Sequence, residues 1–434
     1  MSKKKVLIIT YYWPPDGGAG VQRWLKFVKY LPKEEYDIAV YTPENSESPN
    51  KDESLLNDVP TKIKVIKKSI WEPFSYYKKI SKNKGSFNAG FLNENKDQKK
   101  RFTEKLSLFV RANFFVPDAK MFWIKPSVKY LSNYIAKNNI ELIISSGPPH
   151  SMHIIALKLK KRTSVKWLAD FRDPWTNIDF YKELPTLKII DAAQKRLEKK
   201  TIQTADKIIV VSPQIKKEFL KISSHKNISV ITNGFDTIVN NKTEFEREFT
   251  ITHVGSINAD RSHPSFYKAI HLLLTENDEF KKKLKIRFVG KVDFKARKLI
   301  QEYTLEDYCE FIPFKPYNEL SLIQNRSHIL YLPINNSPNS KGILTGKFFE
   351  YLAAKRYILA QGPVDGDLAC ILKETNAGDI FSFKDTQSIK VKITELFDDY
   401  LSGIYDYNSR KIELYSREYL AKNLDKSIVE CLKQ

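Results

Sequence analysis

Short runs of aliphatic and β-branched residues alternate with helical patterns along almost the whole chain, and that alternation leaves few folds open. A first series reads KVLIIT from Lys5, DIAVYT from Asp37, IELIISS from Ile140, VKWLADF from Val165, KIIVVS from Lys207 and ISVIT from Ile228. A second reads FTITHVGS from Phe249, LKIRFVG from Leu284, CEFIPF from Cys309, HILYLPI from His328 and RYILAQG from Arg356. Strands that are apolar nearly throughout, rather than at alternate residues, are covered on both faces, the state of a parallel sheet between helices. The sequence therefore predicts an α/β chain of two doubly wound parallel sheets, each of five or six strands. A polar stretch with Gly and Asn, Thr232 to Phe249, separates the two series and reads as a linker. The expected organisation is an N-terminal domain over 1–232, a linker over 233–248, a second domain over 249–412, and a C-terminal helix over 413–434 that packs back on the first domain. Ligands of such sheets sit beyond the carboxyl ends of the strands. Two sheets facing each other across a cleft would place a site between them.

The length of 434 residues agrees with two or three domains at roughly 100–200 residues each. Cys309, Cys370 and Cys431 are scattered without metal-ligand spacing, which points to a reducing compartment and away from a disulfide frame or zinc site. The opening MSKKKVLIITYYWPP has a basic start and an apolar run, but the run stops at Pro14-Pro15 without a small-residue cleavage site. It reads as a strand, not a signal peptide. No run approaches the ~18 apolar residues of a spanning helix. A cytoplasmic protein, or one peripheral on the inner face of a membrane, is expected.

The net charge is +21. It is uneven: Lys62 to Lys137 holds about 18 Lys/Arg against about 5 Asp/Glu. Such an excess suits an anionic partner or a solvated lysine-rich surface. Within it, KKRFTEKLSLFVRANFF from Lys99 to Phe115 groups Phe102, Leu106, Phe109, Val110 and Phe114 at helical spacing, opposite Lys99, Lys100, Arg101, Lys105 and Arg111. With Lys78, Lys79, Lys82 and Lys84 upstream, this predicts a helix drawn to an anionic membrane surface. The same spacing describes an ordinary surface helix. No nucleic-acid recognition motif accompanies the charge, and no nucleic-acid partner is expected.

The chemistry lies at the strand ends. PPDGGAGVQR follows the first strand, where Gly17, Gly18 and Gly20 permit tight turns and close backbone approach before a helix N-terminus. A nicotinamide fingerprint would need G-x-G-x-x-G/A, and here Gly18-x-Gly20 is followed by Arg23. A dehydrogenase using Gly18, Gly20 and Glu44 is thus a weak match. LADFRDPW gathers Asp170, Arg172 and Asp173 at a strand end, where charges either pair with one another or meet a ligand. His150 and His153 after SSGPP read as polar turn residues, and VDGD at 364–367 reads as a loop rather than a metal motif. GSINADR places Gly255 and Arg261 beyond the first strand of the second series, and Thr345-Gly346-Lys347 places an N-cap, a glycine and a cation at a helix start. Both suit a diphosphate. Along that helix Phe348, Phe349, Leu352 and Ala353 form one face, and Lys347, Glu350 and Ala354 the other. The polar pair faces either water or a ligand.

The ordered set PP(D)GG, ADFRDPW, AD-x-I-x-V-V-S (Ala205, Asp206, Ser212), TNGFD, VGS…R and GKFFEYLAAKR resembles the retaining nucleotide-sugar glycosyltransferases of the two-Rossmann GT-B architecture, family 4. The subgroup it resembles builds bacterial capsules, lipopolysaccharides and exopolysaccharides. The resemblance implies that Glu350 bonds the donor ribose, and that Lys347 and Arg261, with Gly255, Thr345 and Gly346, meet the diphosphate. It implies that Gly17 and Gly18 approach the donor, that Arg172 and Asp173 lie near the transferred sugar, and that the backbone at Pro313-Phe314 meets the base. One departure stands out: the family often has a glutamate eight residues before Glu350, where this chain has Gly342, with Asn339 and Ser340 beside it. The implied partners are a nucleotide-sugar donor and a glycan or lipid-linked acceptor. No cofactor and no metal are implied, the nucleotide sugar being a substrate, because cations and a helix N-terminus can stabilise the leaving diphosphate.

Overall fold

The computed structural model describes residues 3–48, 51–72, 102–179, 181–225, 227–236, 244–313, 315, 317–405 and 407–433. The chain forms two compact units. The first is drawn from the described residues of Met1–Phe87, Lys99–Asn233 and Arg417–Gln434, and the second from those of Gly234–Ser416. The linker expectation over 233–248 falls partly on 237–243, outside the described residues. Of the basic segment, Lys78, Lys79, Lys82, Lys84, Lys99, Lys100 and Arg101 also lie outside the described residues.

The first unit holds a parallel sheet of strands β1 (Lys4–Ile9), β2 (Tyr36–Pro43), β3 (Lys64–Lys68), β4 (Leu142–Gly147), β5 (Lys166–Phe171), β6 (Lys207–Val210) and β7 (Ile228–Val230), in the order β3-β2-β1-β4-β5-β6-β7. The second holds β8 (Phe249–Val254), β9 (Leu284–Val289), β10 (Cys309–Ile312), β11 (Ile329–Pro333), β12 (Tyr357–Gln361) and β13 (Gly378–Phe381), in the order β10-β9-β8-β11-β12-β13. Every strand pairing in both is parallel.

The sheets have seven and six strands, one more in each than the apolar runs reveal. The extra strands are β3 and β13, both at sheet edges. In β3, KVIKK, only Ile66 is buried while Lys64, Lys67 and Lys68 reach solvent. Lysines on an edge strand block further pairing, and they also hide the strand from a search for apolar runs. Strand β13 has four residues and begins at Gly378, whose φ is +149. A side chain there would meet the Ile358 backbone.

Burial on both faces of the central strands explains their composition. In the first unit, Leu7, Ile9, Ile143 and Trp167 face one core, and Val6, Ile8, Ile144 and Leu168 the other. The C-terminal helix Arg417–Lys433 lays Leu420, Leu424, Ile428 and Cys431 into that second core beside Trp24 and Val28 of helix Ala19–Tyr30. In the second unit, Ile251, Ile286 and Tyr331 pack on one side of the sheet, and Val254, Leu330 and Ile358 on the other.

In both sheets the strand order reverses beside the first strand, between β1 and β4 and between β8 and β11. Connections leave in opposite directions there and open a crevice at the carboxyl ends. The loops carrying Gly17, Gly18 and Arg172, and those carrying Gly255 and Arg261, begin at these ends.

Candidate active site

In the second unit β8 ends at Val254 and the chain turns at Gly255, φ +101. Helix Gly346–Ala354 is fixed against that turn by its buried Tyr351, whose hydroxyl accepts from Val254 N at 2.8 Å. One turn earlier, Lys347 lies against Gly255, in the space a Cβ there would fill. Its Nζ donates to the Ser256 carbonyl at 3.3 Å. Arg261 closes the short turn Ala259–Arg261, which Asn258 caps by accepting from Arg261 N at 3.1 Å. The Arg261 guanidinium donates through Nη1 to the same Ser256 carbonyl at 3.3 Å and through Nε to Asn335 Oδ1, just past β11, at 2.6 Å.

Two cations therefore share one carbonyl at the switch point. Burial, then the neighbouring Arg261, lowers the Lys347 pKa to about 7, with Glu350 acting in the other direction. His253, behind them, is held well below its usual pKa by burial and then by Lys347, so it adds no charge at neutral pH. At the helix entrance, Thr345 occupies the N-cap position in extended conformation but its hydroxyl does not cap. Thr345 Oγ1 is buried without a hydrogen-bond partner. The site thus combines two cations, a helix N-terminus and an orphaned hydroxyl, a set suited to an anion with several oxygens.

Glu350 is half-buried on the same helix, as is Lys347. The helical wheel needs one correction: Ala354 and Tyr351 are buried and Ala353 is only half-buried. The apolar face is rotated because Tyr351 points back to β8, and a wheel drawn from hydropathy leaves tyrosine undecided. Gly342 ends the turn Ser340–Gly342, where Asn339 accepts from Ser337 Oγ at 2.8 Å. Pro313 follows β10 and is exposed, while Phe314 lies outside the described residues.

The first unit brings its own set together. Gly18, φ +101, precedes helix Ala19–Tyr30, and a side chain there would meet nothing within 4 Å. Gly17 is half-buried next to it. The Arg172 guanidinium presses on Gly20 and donates to the Pro148 carbonyl. Gly20 must therefore be small to admit Arg172, which accounts for the glycine without a dinucleotide. Glu44 accepts from Ser69 Oγ at 2.7 Å.

The charges of LADFRDPW do not pair with one another. Asp170 is fully buried and forms its ion pair with Arg23 at 2.9 Å, and it also accepts from Trp24 Nε1 and Ser146 Oγ. Arg172 Nε is buried without a partner. Burial raises the Asp173 pKa to about 6 against the opposing pull of Arg172.

His150 and His153 are not turn residues open to solvent. Both are buried, His150 stacked on Trp175 at 4.4 Å and His153 on Phe171 at 4.2 Å. His153 Nδ1 lies 2.8 Å from Ser145 Oγ, which accepts from Trp167 Nε1 at 2.8 Å. Burial, then Arg172, pushes the His153 pKa down to about 3. The Asp365 of VDGD pairs with Lys341, as a loop residue does. Among the described residues, no three His, Cys, Asp or Glu side chains are grouped to hold a metal ion.

Residues 94–238 match the family model Glycosyltransferase Family 4. With the fold, that match marks the chain as a glycosyltransferase. No curated protein matches it in sequence. Among solved structures it is similar to Anabaena HepE in complex with UDP, at 12% identity over 98% of this chain and 99% of the other, with a TM-score of 0.63. It is similar to sucrose-phosphate synthase from Thermosynechococcus elongatus, at 13% identity over 99% of each chain, TM-score 0.62. It is also similar to S. aureus TarM, solved with fondaparinux, alpha-GlcNAc-glycerol and UDP, at 12% identity over all of both chains, TM-score 0.62. The fold is GT-B. The matched segment ends before the second unit's cations, so the roles of Arg261 and Lys347 rest on their geometry.

Proposed function

We propose that the protein transfers a sugar from a nucleoside diphosphate donor to a glycan or lipid-linked acceptor, with retention at the anomeric carbon and without a metal ion, in bacterial surface polysaccharide synthesis. The observation that carries this is the convergence of Arg261 and Lys347 on the Ser256 carbonyl, beside Gly255 and the unpartnered Thr345 hydroxyl. The family 4 match, and the UDP in the HepE and TarM structures, support a nucleotide sugar as the anion.

In this reading the diphosphate lies on the entrance of helix Gly346–Ala354. The bond from the anomeric carbon to the diphosphate oxygen breaks, and the electron pair leaves with the diphosphate. Arg261, Lys347 and the helix N–H groups meet the growing charge, so they act most strongly in the transition state. The acceptor oxygen bonds to the anomeric carbon on the face the diphosphate vacates, and its proton passes to a leaving phosphate oxygen. No separate side-chain base is required. Glu350 holds the ribose, and the backbone after β10, at Pro313, meets the base. Gly17, Gly18, Arg172 and Asp173 are assigned to the sugar and acceptor end.

The test is transfer from a panel of UDP-, GDP- and ADP-sugars, with an anionic glycan or glycolipid extract as acceptor, in the presence and absence of a chelator. Product with the donor's anomeric configuration, formed equally with chelator, supports the reading. Inverted product, or activity lost on chelation and restored by a divalent ion, contradicts it.

A further inference from the structure

Helix Lys188–Thr204 of the first unit turns a polar face inward. Its buried residues are Gln194, Glu198, Thr201 and Ile202, and the first two lie one turn apart. A carboxylate is costly to bury without partners. Glu198 is 2% exposed and, among the described residues, has no cation beside it. It accepts instead from Thr176 Oγ1 at 2.6 Å and from the Trp175 and Thr176 backbone N–H groups at 3.3 and 3.4 Å. Burial raises its pKa against the pull of those bonds. Gln194 accepts from Trp175 Nε1 at 2.9 Å and donates to the Pro117 carbonyl at 2.9 Å. Core packing alone is served as well by apolar side chains at such positions. The polar pair has a more specific use.

Both residues hold the loop that leaves β5, and that loop is tied at two places. At its start Arg172 N donates to the Gly147 carbonyl at 2.9 Å, and the Arg172 guanidinium donates to the Pro148 carbonyl. At its end Trp175 and Thr176 are held by Glu198 and Gln194, with the Trp175 ring stacked flat on His150, next to Pro149. Asp173 stands between the two ties. Burial, then Arg172, then Asp179 and Asp170 act on its carboxyl. Among the described residues that carboxyl makes no hydrogen bond of its own, so the ties alone set its place.

We propose that Glu198, with Gln194, is a positioning residue for sugar transfer: it fixes the Arg172–Thr176 loop so that Asp173 meets the hydroxyls of the acceptor. Buried behind the loop, Glu198 touches no substrate itself. A misplacement of about 1 Å at a reacting group costs on the order of a hundredfold in rate, which is what such a tether prevents. That role rests on the transferase reading, which assigns Arg172 and Asp173 to the sugar and acceptor end; the tether itself does not.

Transfer is assayed with the donor that the UDP-, GDP- and ADP-sugar panel selects and with the same glycan or glycolipid extract. In Glu198→Leu turnover should fall by about ten- to a hundredfold, while UDP affinity stays within about twofold of the wild type. Glu198→Gln keeps one acceptor oxygen and should recover part of the turnover. Leu197→Ala, on the same helix and packed on the core, should lower the melting temperature and leave the turnover of the folded protein unchanged. A cycle with Asp173→Asn separates positioning from mere support. In that background Glu198→Leu should cost less than about threefold, because the group it positions is already altered.

A second readout needs no activity. In NMR spectra of protein with isotope-labelled aspartate carboxyls, the Asp173 signal is the one lost in Asp173→Asn. It should titrate at about 6 in the wild type and move towards the ordinary aspartate range in Glu198→Leu, as the loosened loop admits water. Wild-type turnover in folded Glu198→Leu, the full loss repeated in the Asp173→Asn background, or an unmoved Asp173 titration would each overturn the proposal. Absence of transfer from every donor contradicts the transferase reading instead, and the titration then still judges the tether.

Discussion

Lys347 occupies the space that a side chain on Gly255 would need. The glycine turn after β8 and the cation on helix Gly346–Ala354 are thus one device, although 92 residues separate them in sequence. Gly255→Ala should do two things. Its φ of +101 should cost about 1–2 kcal/mol of stability. It should also displace the ammonium and weaken nucleotide-sugar binding. Gly403→Ala, at φ +69 and in open space, carries the backbone cost alone. Chemical denaturation and calorimetry on both variants separate the effects: equal losses of binding would show that Lys347 is not held by the glycine.

The lowered Lys347 pKa predicts a pH signature. A bound diphosphate stabilises the charged ammonium and raises its pKa. Above about pH 7 binding must then take up a proton, and affinity for UDP-glucose should fall as pH rises, towards tenfold per unit. Calorimetry at pH 8 in buffers of different ionisation enthalpy measures the uptake, which Lys347→Met should abolish. For the free protein, the depressed pKa means that the unfolded chain holds more protons between about 7 and 10.5, so this group favours folding as pH rises across that window. No proton uptake by the wild type at pH 8 would place the lysine away from the ligand.

Arg23 and Asp170 form a buried ion pair 147 residues apart, with side-chain exposures of 2% and 0%. Arg23 also donates to the Ile231 and Thr232 carbonyls, at 2.9 and 2.8 Å. Removing one partner leaves an uncompensated charge, so Arg23→Met should destabilise the first unit by about 3–5 kcal/mol. Urea denaturation followed by the tryptophans, all of which lie in this unit, reads the loss. A change below about 1 kcal/mol would mean that water reaches Asp170.

The two sheets were legible because central parallel strands must be apolar on both faces, as VLII of β1 and LIIS of β4 are. The edge strands β3 and β13 were not, since lysines and a glycine serve the edge and erase the pattern. Glycines and cations at strand ends pointed to Gly255, Arg261 and Lys347. Their meeting at the Ser256 carbonyl depends on backbone geometry that residue types do not encode. The partner of Asp170 was hidden for a related reason. Arg172 is its near neighbour in sequence, yet Arg23 reaches it from helix Ala19–Tyr30. His150 and His153 read as turn residues because a GPP turn precedes them; their burial is decided by Trp175 and Phe171, which strand β5 and its loop bring from elsewhere in the chain.

Glu350→Ala should keep the fold and weaken UDP-glucose binding by about 1.5–3 kcal/mol, the loss of a charge-assisted bond to a ribose hydroxyl. The comparison is by calorimetry, with melting temperature as control. Unchanged affinity would leave Glu350 as an electrostatic neighbour of Lys347 alone.

The central claim is that Arg261 and Lys347 together hold the donor diphosphate. The most direct measurement is calorimetric titration of a panel of nucleoside diphosphate sugars into the wild type and into the double variant Arg261→Ala/Lys347→Ala, with melting curves on both. The account predicts one binding site for a preferred donor in the wild type, and at least about a hundredfold loss of affinity in a double variant that remains folded. Wild-type affinity in the folded double variant would contradict it.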